Sequence, residues 1–420
     1  MLTRRFAPLF WSQFFSAFND NYVRQMLGML ILFRLGAAQA GALVTLAIAI
    51  FILPCLVLSG IGGELADSHD KAQITRWLKG AEICIQMVAA AGVWANSLTL
   101  LYLALLGLGA ISALFSPIKY GILPDHLHPP ELPAGNALIE AATFVAILLG
   151  MIVGGYAAAY GRDPLGVVAQ LMIIALLCWG SSLFIPATRI AAPELKLHKN
   201  IIASSFRLLR ELRDDRRIQQ GAICVSWFWM VGAVALSLIP VMVKQRIGGD
   251  IHVETAISAL FAMGIALGSF AAAWSAAGKI NLYWTPYAVG AMAVALIDLG
   301  LTMGLLPYQD EILPFGAFLG SARGLHISLD VIALSAAGGM FVVPFFSALQ
   351  LWALDARRAR VIAGVNVLTA LCMVAGSLLS SLLLAAGLSE PHIMIMLGLA
   401  NMAIALWLWP FSREQRHHPD

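Results

Sequence analysis

The sequence predicts an all-α integral membrane protein with twelve transmembrane helices arranged in two six-helix bundles. Hydrophobic residues make up 60% of the 420 residues and charged residues only 12%, against a charged share of about 25% in ordinary soluble domains. The mean hydropathy is +0.83. Apolar stretches of about 20 residues, the length needed to cross the hydrocarbon core, follow one another along the whole chain. This composition excludes a soluble protein.

The twelve predicted spans are separated by short polar segments. In chain order they are 7–34, 41–65, 78–95, 98–121, 134–160, 165–187, 218–243, 254–277, 280–304, 326–350, 360–386 and 390–411. We expect an N-terminal bundle over 1–187, an amphipathic linker over 188–217 and a C-terminal bundle over 218–420. Within the linker, Leu208 and Leu212 share one helical face and Arg207 and Arg210 another, a pattern typical of a helix on the membrane surface.

The first predicted span contains two charged residues, Asp20 and Arg24, four positions apart on one helical face. A charge near the bilayer centre costs at least about 2.5 kcal/mol, so such residues usually face a protein interior or a watery cavity. Gln13 and Ser16 extend the same face, and this polar stripe predicts a cavity lining. A cleaved signal peptide is excluded, because the apolar stretch is too long and the charges interrupt it.

The distribution of Lys and Arg predicts that both termini are cytoplasmic. Of the 26 basic residues, twenty lie in or beside the segments that would then be cytoplasmic, and one, Arg24, is left in the middle of a span. The outer segments hold only Arg34, Arg162, Lys244, Arg246 and Arg323. This bias follows the positive-inside rule. The net charge of +3 therefore reflects topology and requires no nucleic-acid partner.

A short internal repeat supports two related halves. The segment SPIK at 116–119 followed by AGNA at 134–137 has a counterpart in VPFF at 343–346 followed by AGVN at 363–366. A parallel duplication of six-span halves is the arrangement of major facilitator transporters, which bind substrate near the midplane between the halves.

Five segments give the chain a more specific resemblance. They are QFFSAFNDN at 13–21, ADS at 66–68, SPIKYGIL at 116–123, NALIEA at 136–141 leading to LLG at 148–150, and GGMFVVP at 338–344. Together they resemble the bacterial lysophospholipid transporters of the major facilitator superfamily. The resemblance implies a multi-pass inner-membrane protein that moves lysophosphatidylethanolamine toward the cytoplasmic side for reacylation. Some members are fused to an acyltransferase; here we expect any acyltransferase to be a separate polypeptide.

The resemblance and the polar residues within the spans nominate one substrate or coupling-ion site. Its candidate residues are Asn19, Asp20, Asn21, Arg24, Lys119, Asn136 and Glu140. The basic side chains can meet a phosphate, the carboxylates can meet an ammonium group or a coupling cation, and apolar walls can hold one acyl chain.

Each candidate also has a structural alternative. Asp20 and Arg24 can form an ion pair that holds the first helix. Lys119 can extend to the interface, and Asn136 with Glu140 can anchor the start of the fifth span.

No cofactor is expected, but a coupling ion is. Asp20 lies between Asn19 and Asn21, and these oxygen-bearing side chains suit Na⁺, while the carboxylate can instead take a proton. We expect no other metal site. Asp67 and Lys71 are assigned, by resemblance to the superfamily, to a conformational latch between spans two and eleven. His326 and Asp330 share a face at the start of span ten and suggest a hydrogen-bonded pair or a proton relay.

The sequence leaves two alternative classes of function. A membrane acyltransferase is a remote alternative, because the four-residue His–Asp spacing of such enzymes is absent: His126 is followed by Glu131, and the spacing from His326 to Asp330 is one residue short. A proton-coupled exporter of drugs or small metabolites is the nearer one. Such exporters have a Gly-Pro pair in the fifth span, where this chain has Gly154 and Gly155.

Overall fold

A computed structural model describes residues 4–35, 37–160, 164–195, 197–198, 200–276, 279–309 and 313–417. Arg162, Lys196 and Lys199, which were used to predict orientation, lie outside these ranges. The described ranges contain fourteen α-helices, and their only β-type pairing is an isolated bridge between Gly249 and Leu313.

Twelve of the described helices have 20 residues or more and follow the twelve predicted spans in order. They are α1 (Ala7–Leu35), α2 (Ala37–Ser68), α3 (Lys71–Trp94), α4 (Leu98–His126), α5 (Leu132–Tyr160), α6 (Pro164–Leu183), α8 (Arg216–Met242), α9 (Ile251–Ala276), α10 (Thr285–Gly304), α12 (Ala322–Trp352), α13 (Arg358–Ala385) and α14 (Glu390–His417). The two short helices are α7 (Ile201–Glu211) and α11 (Phe315–Gly320).

Ten of the described helices are long and apolar enough to cross a membrane. The other two long helices, α1 and α3, carry several charged side chains within their length. The predicted fold class, an all-α integral membrane protein, is confirmed.

Two helix starts differ from the prediction for local reasons. Helix α3 begins at Lys71 rather than at 78, because the side chain of Asp70 caps it by accepting a hydrogen bond from the backbone N–H of Ala72. Helix α10 begins at Thr285 rather than at 280, with Pro286 in its first turn, where a missing N–H costs little.

Among the described residues of the predicted linker, the helical ones are those of α7 and the first two of α8, Arg216 and Arg217. Asn200 caps α7 by accepting from the backbone N–H of Ala203. The buried face of α7 contains Ser204, Ser205 and Leu208 and packs on α2, whereas Ile201 is exposed. Small hydroxyl residues therefore form part of the buried face together with the predicted Leu208.

The chain forms two compact units. The first comprises Met1–Ala222 together with Leu349–Ala370, and the second comprises Ile223–Ala348 together with Leu371–Asp420. The end of α12 and the first half of α13 thus belong to the first unit. The domain limits 1–187, 188–217 and 218–420 stay a prediction.

In the first unit, α1 packs closely on α5 through glycine. A Cβ atom on Gly150 would lie 2.6 Å from the backbone oxygen of Phe18, and one on Gly154 would lie 2.4 Å from the backbone oxygen of Tyr22. Only glycine permits this approach, as is common between membrane helices. In the second unit, Gly268 of α9 lies similarly close to Ala336 of α12.

Candidate functional site

The polar stripe of α1 is packed between helices of the first unit. Gln13 donates to the hydroxyl of Thr143 on α5 at 2.9 Å, and Asn19 donates to Glu82 on α3 at 3.0 Å. Ser16 and Asn19 are buried. The stripe, predicted as a cavity lining, therefore contacts α3 and α5 along this part of α1.

A buried ion pair on α3 was missed by the sequence reasoning. Lys79 Nζ lies 2.9 Å from Glu82 Oε2 and donates to the hydroxyl of Ser16 at 2.6 Å. The same ammonium lies 4.0 Å from the ring centroid of Phe115 on α4, a cation–π geometry. Lys79 and Glu82 are 0% and 1% exposed in their side chains.

The sequence does contain an indication of this pair, because Lys79 and Glu82 are three residues apart. Placing the third span at 78–95 put Lys79 at a membrane boundary, whereas α3 begins at Lys71 and carries Lys79 two turns into the helix. The early start depends on the Asp70 cap. Once the start is moved, Lys79 and Glu82 fall on one buried face.

Several buried polar atoms near this pair have hydrogen-bonding capacity left over. Within the described residues, the side-chain oxygen of Asn19, the hydroxyl of Ser12, and both polar atoms of Gln86 have no hydrogen-bond partner. Ser12 also accepts a 3.4 Å contact from the thiol of Cys178 through its backbone oxygen. Buried groups of this kind usually bind water or an ion.

Asp20 and Arg24 have different partners. Asp20 is 7% exposed, and Ser112 of α4 lies beside its carboxylate. Arg24 donates to the side-chain oxygen of Asn21 and lies 5.7 Å from the ring centroid of Phe51. The ion pairs of the described chain do not include one between Asp20 and Arg24.

Lys119 and Glu140 are brought together around Tyr120. The hydroxyl of Tyr120 donates to Glu140 Oε1 at 2.6 Å, and Lys119 Nζ lies 4.7 Å from the centroid of the same ring. Glu140 is fully buried, and its second oxygen has no hydrogen-bond partner among the described residues. This second oxygen is available to a cationic group.

Asn136 forms a reciprocal amide pair with Gln350, which sequence reasoning did not single out. Asn136 donates to Gln350 at 2.7 Å and accepts from it at 3.0 Å, while Gln350 also donates to the backbone oxygen of Tyr120. Asn136 further donates to the backbone oxygen of Leu132. These contacts favour the structural alternative for Asn136, an anchor at the start of α5.

The two residues of the predicted latch have separate partners. Asp67 accepts from the backbone N–H groups of Ala359 and Arg360 at 3.0 and 3.2 Å and pairs with the guanidinium of Arg360 at 3.1 Å. The carboxylate thus lies at the N-terminus of α13, where the helix dipole favours negative charge. Lys71 instead pairs with Asp125 at 2.9 Å.

Further contacts join the ends of α2 and α3 to the segment before α8. Glu64 accepts from the backbone N–H of His198 at 2.9 Å and from the hydroxyl of Ser204 at 2.6 Å. Asp70 accepts from the backbone N–H and the hydroxyl of Thr188. Partial burial alone would raise the pKa of Asp70, but these hydrogen bonds outweigh it and hold the pKa below its ordinary value.

In the second unit, His326 bonds to a residue that its sequence position does not suggest. Its Nε2 lies 2.9 Å from Asp298 Oδ2 on α10 and 3.7 Å from Asp330 Oδ2 on its own helix. The helical spacing predicted a hydrogen bond between His326 and Asp330. In the structure the hydrogen bond joins His326 to Asp298 instead.

Comparison with known proteins identifies the family. The profile of the Major Facilitator Superfamily matches residues 9–329. The lysophospholipid transporters LplT of Yersinia pestis and Yersinia pseudotuberculosis are each 28% identical to the chain over 353 residues, 83% of this chain and 79% of theirs.

Solved structures agree in fold. The human organic anion transporter MFSD10 has a TM-score of 0.73 at 16% identity, covering 97% of this chain and 99% of its own. The E. coli fucose:proton symporter FucP has a TM-score of 0.70 at 14% identity, covering 97% and 98%. Because the superfamily profile matches well over half of the length of this chain, the chain belongs to the Major Facilitator Superfamily.

Proposed function

We propose that this protein is a secondary transporter that moves lysophospholipids, lysophosphatidylethanolamine foremost, across or between the leaflets of the bacterial inner membrane. The observation that carries the proposal is the similarity to the lysophospholipid transporters LplT over 83% of the chain. These relatives are transporters, and the chain is a multi-pass membrane transporter of their superfamily rather than an acyltransferase.

The charged side chains on the helices of the first unit suit a zwitterionic lipid with one acyl chain. Arg24 and Lys119 provide cations for the phosphate, and Asp20 and Glu140 provide carboxylates for the ammonium group. The unpaired second oxygen of Glu140 is the clearest acceptor for an ammonium N–H. Asn136, held by Gln350, supports the helix that carries Glu140.

Transport is proposed to proceed by alternating access with a coupled cation, Na⁺ or H⁺. Asp20 is the proposed coupling residue, because it is a buried carboxylate without an ion-pair partner in the described chain. Asn19 precedes it on α1 and has a side-chain oxygen without a hydrogen-bond partner in the described chain, and hard cations bind oxygen atoms of both kinds. Movement is proposed toward the cytoplasmic side, where a separate acyltransferase would consume the lysolipid.

Uptake into proteoliposomes tests this proposal. We expect purified protein to move labelled lysophosphatidylethanolamine, faster with an imposed sodium or proton gradient, and to discriminate strongly against two-chain phosphatidylethanolamine. Protein-free liposomes and liposomes containing heat-unfolded protein are the controls. Equal handling of one-chain and two-chain lipids, or transport only of soluble cationic drugs, would replace the proposal with the exporter alternative.

A further inference from the structure

Three side chains that can ligate a metal ion converge in the second unit. Asp298 comes from the last turns of α10, and His326 and Asp330 come from the first turns of α12. One ligand atom of each lies within 4.8 Å of the others. His326 Nε2 faces both carboxylates, at 2.9 Å from Asp298 Oδ2 and 3.7 Å from Asp330 Oδ2.

One of these ligand atoms is buried without a hydrogen-bond partner. Asp330 is 8% exposed, and its Oδ2 is buried and lacks a hydrogen-bond partner within the described chain. The imidazole nitrogen of His326, at 3.7 Å, is too far from this oxygen to form a hydrogen bond with it. Leaving a buried carboxylate oxygen unsatisfied costs free energy, and a second carboxylate beside it adds repulsion. Both costs are removed by a cation bound between the three groups.

The donor set selects the class of cation. One imidazole nitrogen and two carboxylate oxygens match Zn²⁺ and similar first-row ions, which bind these ligands at about 2.0–2.2 Å. Ligand atoms at that radius lie about 3–3.5 Å apart, close to the two separations seen here. Ca²⁺ and Mg²⁺ prefer sites made of oxygen atoms alone. His326 and Asp298 are about half exposed, at 47% and 45% of their side chains, so an ion has access and water can complete its coordination.

We propose that Asp298, His326 and Asp330 form a binding site for a divalent transition-metal ion, with Zn²⁺ as the matching probe. The bound ion joins the end of α10 to the start of α12 within the second unit. The proposal does not depend on the identity of the transported substrate.

Zinc titration of the purified full-length protein tests the site. His417 and His418 are first replaced by Gln and the purification tag contains no histidine, because paired terminal histidines bind Zn²⁺ themselves. We expect this parent protein to bind one equivalent of Zn²⁺ by calorimetry and to unfold at a higher temperature in its presence. His326→Gln and Asp330→Asn are each expected to weaken binding by more than about tenfold.

Two controls keep the result interpretable. His392→Gln removes another exposed histidine of the same unit, which contacts Ser389, and should leave Zn²⁺ binding unchanged. If a site variant fails to fold, the parent protein still decides the matter: bound Zn²⁺ should protect His326, but not His392, from diethyl pyrocarbonate, as read by mass spectrometry. Absence of stoichiometric binding in the parent, or binding that survives both site variants, would overturn the proposal.

Discussion

Asp20 and Lys79 are both buried among membrane helices, but the structure compensates their charges differently. Lys79 has a carboxylate, a hydroxyl and an aromatic face around its ammonium group. Asp20 has a hydroxyl beside it and no ion-pair partner in the part of the chain that is described. Removing one member of a buried ion pair leaves the other charge uncompensated and destabilises the fold, whereas a buried charge without an ion-pair partner marks a candidate binding site. The two residues therefore predict different mutant phenotypes.

Asp20→Asn should abolish gradient-driven uptake while the protein stays folded in the membrane. The amide preserves shape and hydrogen bonding but removes the charge that would hold a cation. We expect a loss of at least about tenfold in coupled uptake, equivalent to about 1.4 kcal/mol, with downhill exchange retained. Uptake into proteoliposomes under sodium and proton gradients measures this.

The outcome separates two roles of Asp20. A native rate with native ion dependence would move the coupling role to Glu140. If the variant is instead absent from the membrane, Asp20 and Arg24 act structurally, and Asp20→Asn combined with Arg24→Gln should then restore folding.

Lys79→Met should destabilise the protein strongly, by about 3–5 kcal/mol, because it leaves the Glu82 carboxylate buried without its counter-ion. The double variant Lys79→Met with Glu82→Met should recover much of this loss. Thermal unfolding in detergent, followed by tryptophan fluorescence, gives the comparison. Additive losses in the double variant would show that the two side chains do not act as a pair.

At the scale of helices, contacts depend on glycine spacing and on capped helix ends. Helices α1 and α5 approach through Gly150 and Gly154, and α2 reaches the start of α13 through Asp67. Both contacts involve backbone atoms of the partner helix, so one substitution is enough to remove or obstruct each contact. Matched substitutions exist for each.

Gly154→Ala should lower stability by about 1–3 kcal/mol, because its new Cβ would lie 2.4 Å from the backbone oxygen of Tyr22 and force α1 and α5 apart. Gly155→Ala is the matched control. A Cβ there would meet only Gln25 Cγ at 3.8 Å, so the change should be neutral or stabilise the helix by up to about 1 kcal/mol. Thermal unfolding of the two variants measures the difference in stability. Equal changes in stability for Gly154→Ala and Gly155→Ala would contradict the close contact between α1 and α5.

Asp67→Ala should loosen the start of α13 by removing the acceptor of the backbone N–H groups of Ala359 and Arg360, at a cost of about 1–3 kcal/mol. Hydrogen exchange in this first turn should accelerate. Asp67→Asn keeps an oxygen acceptor and should exchange more slowly than the alanine variant. Identical exchange in wild type and Asp67→Ala would exclude a capping role.

At the scale of the whole molecule, the predicted orientation in the membrane follows from the distribution of Lys and Arg along the chain. The predicted cytoplasmic segments hold most of the basic residues, and an even number of spans returns the chain to the side on which it began. This arrangement is predicted from composition rather than from contacts.

Reporter fusions after Pro186 and after Ser412 should therefore both be cytoplasmic. An enzyme active only in the cytoplasm and one active only in the periplasm, fused at the same positions, give opposite signals and serve as mutual controls. A periplasmic signal at either site would refute the twelve-span topology.

The amino-acid sequence alone determined the membrane class, the order of the twelve long helices and the resemblance to a transporter family, because apolar length and local motifs are properties of neighbouring residues. It also singled out Asp20, Lys119 and Glu140. Tertiary structure alone decided which groups compensate these charges.

Three pairings show why. Lys79 meets Ser16 of another helix, Asn136 meets Gln350, and His326 meets Asp298 rather than the Asp330 of its own helix. Each joins residues distant in sequence, and helical spacing describes only neighbours on one helix. The packing of separate helices brings the partners together.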